Sequence, residues 1–361
     1  MKFTITKQDF LNTLQKVYTV ATSKTMAILS TVLLEVKDDK LKISGTDLDL
    51  SIVCNTNIEI KEDGSLAVPS KRLFDIIRSL PDGEINIAST KNNSLTINTT
   101  TCNFRISSLP VEDFPKLPTF EPKVSIKLKQ SELKKLFDLT SFSVSRDETR
   151  YTLNGILFNI NKSWLTLVST DGKRLSIIKH ELQEVFKEEK TLILPLKAVI
   201  EISKNLNSDE DAKLSFSKNQ MLCSFKNMQI MSRLIEGEFP NWKQVVPEVS
   251  NNKVSIKRDL FLGAAIRGSL LATENYQALK LSVFKDKIII SKETPDIGEM
   301  KEEVEASYNG AETAIGFKPE YLIEVLKAMG DEKIELELTD IEKPGVIRSG
   351  NYIHVLLPMR I

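Results

Sequence analysis

The 361 residues, 41% of them apolar, suffice for about three domains of common size, each with a modest core of its own. The 49 basic and 49 acidic residues cancel, so no bulk charge marks the chain for a polyanion. No apolar run is long enough for a signal peptide or a bilayer span, and a soluble, cytoplasmic protein is expected.

Residues 2–7 alternate as a strand and run into an amphipathic helix at Phe10, Leu11, Leu14, Val17 and Tyr18. The unit recurs twice. Val124-Ser125-Ile126-Lys127 leads into Leu133, Leu136 and Phe137, and Val254-Ser255-Ile256-Lys257 leads into Leu260, Phe261, Ala264 and Ala265. A second strand and helix repeat in phase with the first at 66–71, 192–197 and 313–318, where Lys71, Lys197 and Lys318 stand 126 and 121 positions apart. Repeats at this spacing predict a threefold chain of domains, 1–121, 122–249 and 250–361, with linkers near 118–123 and 247–252. Between the helices, stretches such as 40–44, 94–98 and 333–338 alternate apolar and polar residues and predict half-buried antiparallel strands. Turn signals at 37–40, 63–64, 81–83, 91–93 and 331–332 separate them. Cys54, Cys102 and Cys223 sit singly in strand-like segments and predict buried structural thiols, with neither a disulfide framework nor a zinc site.

Net charge hides an uneven distribution. The predicted helices 7–24, 71–80, 129–140, 197–206, 257–271 and 318–329 carry +2, +2, +1, +1, +2 and 0, so they total +8 and the rest of the chain −8. If the helices share one face, that face is basic and suits a duplex held by its phosphates without sequence preference. Catalytic signatures are missing: no phosphate-binding glycine loop, nucleophile elbow or H-E-x-x-H occurs. His180 and His354 lie far apart in strand-like segments and make poor general bases. One enzymatic alternative stands on Asp47 and Asp49, which strand alternation would place on one side, joined by Asp171 as carboxylate ligands of a metal-dependent nucleic-acid enzyme.

Asp171-Gly172 between strand-like flanks predicts a hairpin turn. The surrounding Leu167-Val168-Ser169-Thr170-Asp171-Gly172-Lys173-Arg174-Leu175 comes with Leu153-Asn154-Gly155, Glu236-Gly237-Glu238-Phe239-Pro240-Asn241-Trp242 and the terminal Val355-Leu356-Leu357-Pro358-Met359-Arg360-Ile361. Thr46-Asp47-Leu48, 109–115, Tyr308-Asn309-Gly310-Ala311 and Ile315-Gly316-Phe317 complete a set of ordered motifs. Over its whole length the chain resembles the bacterial DNA polymerase III β subunits, the replicative sliding clamps.

The resemblance implies an α+β fold of three repeated clamp domains, each with antiparallel sheets outside and two helices inside, and two chains joined head to tail in a ring. It implies a processivity factor without catalysis, metal or cofactor. The implied partners are double-stranded DNA, a second copy, and the replicative polymerase α subunit, the clamp loader and repair proteins through short peptides. The implied peptide pocket is Leu153, Thr170, Gly172, Lys173, Arg174, Leu175, Pro240, Gln244, Val245, Val355, Leu357, Pro358, Met359 and Arg360. Lys173 stands where many members have His, and Gln244 where some have Arg. The resemblance places Phe104, Ile106, Leu270 and Leu271 at the ring-closing interface, and Lys24, Arg72, Arg78, Lys134, Arg146, Arg150, Lys197 and Arg267 toward DNA. The loop 23–29 lacks the proline common in the family.

Overall fold

Every repeat opens on a strand that turns directly into a helix. The computed structural model describes residues 1–23, 26–90, 92–117 and 119–361. Among them the helices are α1 (Lys7–Tyr18), α2 (Ser70–Ser79), α3 (Gln130–Asp138), α4 (Leu196–Asn205), α5 (Arg258–Ser269) and α6 (Pro319–Ala328). Thr6 starts α1 by accepting the Asp9 amide at 3.1 Å while its hydroxyl donates to the Asp9 carboxylate at 2.7 Å. Pro319 opens α6 with a backbone angle already suited to the first turn. α1 ends at Tyr18, six residues before the predicted limit, because β-branched Thr19 and Val20 follow and the chain tightens to i→i−3 bonds, Val20 N to Val17 O and Ala21 N to Tyr18 O.

The chain divides into two compact units, Met1–Ser131 with Glu201–Leu234, and Glu132–Ile200 with Ile235–Ile361. The two halves of the central repeat thus pair with different neighbours. In the first unit a five-stranded sheet runs Glu59–Glu62, Lys2–Thr6, Glu84–Thr90, Ser94–Asn98, Asn103–Ser107 in spatial order. An eight-stranded sheet continues from first-repeat strands into central-repeat strands where Leu50–Asn57 pairs antiparallel with Met228–Arg233. Phe10, Leu14 and Val17 of α1 are buried, and a Cβ on Gly45 would meet Val17 Cγ1 at 2.7 Å, so glycine there lets helix and sheet approach.

The second unit is built on a ten-stranded sheet. Its long hairpin, Gly155–Thr170 with Arg174–Pro195, pairs through the second arm with Tyr352–Leu356, and the sheet continues into the other third-repeat strands. Inward positions alternate as predicted, with charged exceptions among the described residues at Arg174, Lys292 and Glu337. Glu337 is 2% exposed, accepts from Arg348 Nε at 3.1 Å, and Arg348 also donates to the Pro247 carbonyl at 2.7 Å. This paired charge ties residue 247 to the third-repeat sheet.

One detail differs from the sequence expectation. Cys54 and Cys223 are buried, but Cys102 is half-buried in the turn before Asn103–Ser107, where Thr99 Oγ1 accepts its amide at 2.9 Å. Burial pushes the Cys54 thiol up to about 12 and raises that of Cys223 as well. No helix among the described residues is long and apolar enough to cross a membrane.

Candidate peptide groove and nucleic-acid surface

The Asp171-Gly172 turn is held by its own side chains. Thr170 Oγ1 donates to Arg174 O at 2.6 Å and accepts from Gly172 N at 3.0 Å, while Asp171 Oδ1 accepts from Lys173 N at 2.9 Å and Arg174 N at 3.1 Å. Gly172 has φ +87°, and a Cβ there would lie 2.6 Å from Arg150 Nη1. The first repeat builds the same turn: Thr46 Oγ1 bonds Leu50 O and Leu48 N, and Asp47 Oδ1 accepts from Asp49 N and Leu50 N at 3.1 and 2.7 Å.

This geometry corrects the enzymatic alternative. The first-repeat strand ends at Thr46, so Asp47 and Asp49 belong to a turn and do not share a strand face. Asp47 and Asp171 spend carboxylate oxygens on capping turns, and Asp49 lies 3.8 Å from Arg233. Among the described residues no cluster of three or more His, Cys, Asp or Glu side chains is gathered to hold a metal.

Beside the central turn lies an apolar floor of Leu157, Val168, Leu175, Ile177, Ile193, Ile235, Val346 and Val355, with Phe239, Trp242, Val246 and Ile353 packed against it half-buried. Predicted pocket residues Leu175 and Val355 are part of that floor and face each other across paired strands. Leu357 N donates to Lys173 O at 3.0 Å and Met359 N to Gly316 O at 2.8 Å, so the last residues run along the turn. Leu357 (43%) and Val245 (58%) are exposed apolar side chains, whereas Thr170, Pro358 and Met359 are half-buried. Gly172, Lys173, Pro240, Gln244 and Arg360 are exposed. Leu153 is buried at the end of the 145–153 segment, whose Arg150 Nη1 donates to Asp171 O at 3.0 Å.

Arg174 is 8% exposed, and its guanidinium is committed inside the protein. Nε donates to Asp171 Oδ2 at 3.1 Å, Nη1 to Glu324 of α6 and Nη2 to the Phe142 carbonyl, while the plane stacks 4.3 Å from the Tyr321 ring centroid. Tyr321, Glu324 and Phe142, absent from the predicted set, thus hold Arg174 in place. His354 is fully buried, with its pKa lowered to about 3 by desolvation first and by Arg174 second, while half-buried His180 sits 3.9 Å from Glu132. An imidazole sealed from solvent has no substrate to deprotonate.

Of the basic residues assigned to DNA, Lys24 lies outside the described residues. Arg72, Lys134, Arg146 and Lys197 are exposed on or beside helices. Arg78 is 3.2 Å from Asp75, Arg150 is 3.6 Å from Asp147, and Arg267 clasps Glu302 with two bonds, one of 2.7 Å. Arg267 accordingly holds the Glu302 carboxyl below its usual range.

At the assigned interface, Asn103–Ser107 is the last strand of its sheet and, among the described residues, pairs only with Ser94–Asn98. Phe104 is half-buried on that edge; Ile106, 2% exposed, faces the chain's own core. Leu270, 77% exposed, and half-buried Leu271 follow α5. Strand Gly298–Tyr308 pairs along 298–305 with Lys287–Thr294 and reaches Lys253–Lys257 only at 306–308, leaving the other edge of 298–305 unpaired among the described residues.

Three descriptions of the DNA polymerase III beta subunit match the chain in order: its N-terminal domain at residues 1–118, its central domain at 127–241 and its C-terminal domain at 243–360. Beta sliding clamps are among its relatives: that of Chlamydia pneumoniae is 31% identical over 365 residues, covering 100% of this chain and 99% of the relative. That of Escherichia coli K12 is 30% identical, with full coverage of both. The fold matches the solved sliding clamp of Pseudomonas aeruginosa with TM-score 0.95 at 30% identity, covering 100% of both chains. It matches that of Bacillus subtilis with TM-score 0.96 at 29% identity, covering 100% of this chain and 99% of the other. The chain therefore belongs to the DNA polymerase III beta subunit family, and it is a DNA sliding clamp, a processivity factor without catalytic activity of its own.

Proposed function

We propose that two copies of this chain, each made of clamp domains 1–121, 122–249 and 250–361, close head to tail around duplex DNA in the cytoplasm with α1 to α6 turned inward. The observation that carries the ring is the pair of unpaired strand edges. An open edge invites another strand, and the two available edges are complementary. Residues 103–107 carry Arg105 and no acid, whereas 298–305 carry Glu299, Glu302, Glu303 and Glu305 against Lys301. Joining unlike edges is a head-to-tail contact, which gives a ring when the rotation closes. Enclosure then holds DNA by topology, so exposed Arg72, Lys134, Arg146 and Lys197 need only weak, sequence-independent phosphate contacts.

The apolar floor serves as the tether. Two large apolar anchors of a short peptide, at ~1.5–3 kcal/mol each, would give the reversible grip that lets the polymerase α subunit, the clamp loader and repair proteins take turns. Lys173 and Gln244 at the rim would bias the peptides accepted. Sedimentation tests the assembly: the wild type should run as a pair of 40.7-kDa chains, and Phe104→Asp with Leu270→Asp as one. A dimer unchanged by both substitutions would remove this interface. Ile106 is unsuited to the test, because a charge there would disturb its own core.

A further inference from the structure

Beneath the groove, on the side of the strands away from Leu175 and Val355, lies a sealed polar cluster. Ser176 and His354 are register partners, and with Ser143 and Tyr352 all four are at most 3% exposed. Ser176 Oγ lies 2.8 Å from His354 Nδ1, 2.8 Å from Ser143 Oγ and 3.3 Å from the Tyr352 hydroxyl. His354 Nε2 finds no hydrogen-bond partner among the described residues. An unpaired buried ring nitrogen is costly, and a purely structural contact between these strands could be apolar, as Leu175 and Val355 are on the other face.

Ser143 belongs to the segment that carries the groove's lip. Three polar contacts fasten its 140–143 stretch to the hairpin: Ser169 Oγ donates to Thr140 O at 2.5 Å, Arg174 to Phe142 O, and Ser176 meets Ser143, while farther along Arg150 Nη1 donates to Asp171 O at 3.0 Å. Directly beyond, Ser145 N donates to Leu153 O at 3.0 Å and closes a loop bearing Arg146, Arg150 and Leu153. Ser143 with Ser176 is backed by the C-terminal strand through a side-chain hydrogen bond to His354, and the Phe142 ring packs on the same imidazole at 5.5 Å between centroids. That strand forms the opposite wall.

We propose that Ser143, Ser176 and His354 are positioning residues that join the two walls of the peptide groove, fixing the 145–153 lip relative to the C-terminal strand and thereby setting how long a bound peptide stays. The assignment rests on the peptide-groove reading. Loss of the Ser143 to Ser176 contact frees the lip without touching the floor, so dissociation should change and encounter should not.

Hydrogen exchange of the full-length Ser176→Ala and Ser143→Ala chains, with Ser176→Thr as rescue, tests the positioning role without any peptide. Amides of 145–153 should exchange about tenfold faster while those of Gly155–Thr170 keep wild-type protection, and threonine should restore the lip. Dissociation of an apolar pentapeptide measured by surface plasmon resonance should quicken by a similar factor at constant association rate. Wild-type exchange across 145–153 in a folded Ser176→Ala chain, or equal acceleration in lip and floor, would overturn the proposal. Failure of the wild type to bind the pentapeptide would instead remove the groove reading, leaving the exchange result to stand alone.

Discussion

Replacing Arg174 by methionine discriminates between two roles for a residue that sequence resemblance assigns to peptide contact. Its donors serve Asp171, Glu324 and the Phe142 carbonyl, and its plane lies on Tyr321. Breaking a buried charge pair costs ~3–5 kcal/mol, with the lower end applying here. Asp171 retains two backbone donors, and the Glu324 side chain, 38% exposed, can return to water. Methionine fills part of the volume, so about 3 kcal/mol should be lost. Lysine, a point charge able to serve one acceptor well, should lose about 2 kcal/mol. Both tryptophans, Trp164 and Trp242, lie in the second unit, so fluorescence during urea unfolding reads the affected unit alone. Because the guanidinium is already engaged, Arg174→Met should weaken an acidic and a neutral version of one apolar peptide by the same factor, with no change in salt dependence. A loss at least tenfold larger for the acidic peptide would show that Arg174 reads peptide charge, and the strut argument would fail.

His354 predicts a pH dependence. Its folded pKa, lowered to about 3, lies below the ordinary ~6.5, so the unfolded chain takes up the proton first as pH falls; stability is fully present above pH ~6.5 and drains away toward pH 3, by up to on the order of 4 kcal/mol. His354→Phe should flatten that part of the tryptophan-monitored profile, and identical profiles would count against it. In the first repeat, Leu48 occupies φ +82° where the matching central turn has Gly172, so Leu48→Gly should raise resistance of the first unit to pulse proteolysis by about 1 kcal/mol. Gly172→Ala should act in the opposite sense, since its Cβ meets Arg150; stabilisation by it would contradict the turn geometry.

What could be read from the chain alone was local and periodic. The recurrence of strand and helix located α2 to α6 within two residues and the start of α1, though not its end, because amphipathic spacing survives whatever packs against it, and the Asp171-Gly172 turn followed from the left-handed angle glycine tolerates. Long-range partnerships escaped. Nothing near Arg174 in sequence points to Glu324, 150 positions away, which approaches only because α6 packs beside the turn. Strand alternation mistook Asp47 and Asp49 for neighbours on one face, since Asp47 ends its strand by accepting two amides. The resemblance also left Phe104 and Ile106 as equals, although the first lies half-buried on an edge and the second in the core. His354 looked like one polar residue in a strand; its burial depends on Ser143 and Ser176 arriving from elsewhere.

Retention on DNA of different topology bears most directly on the encircling ring. Chain loaded by its clamp loader onto nicked circular DNA should co-elute with the circle in gel filtration at moderate salt, and should be lost when a single restriction cut opens an end. Protein that stays bound to the linear product, or that never distinguishes circle from line, would contradict enclosure and leave a conventional surface-binding protein in its place.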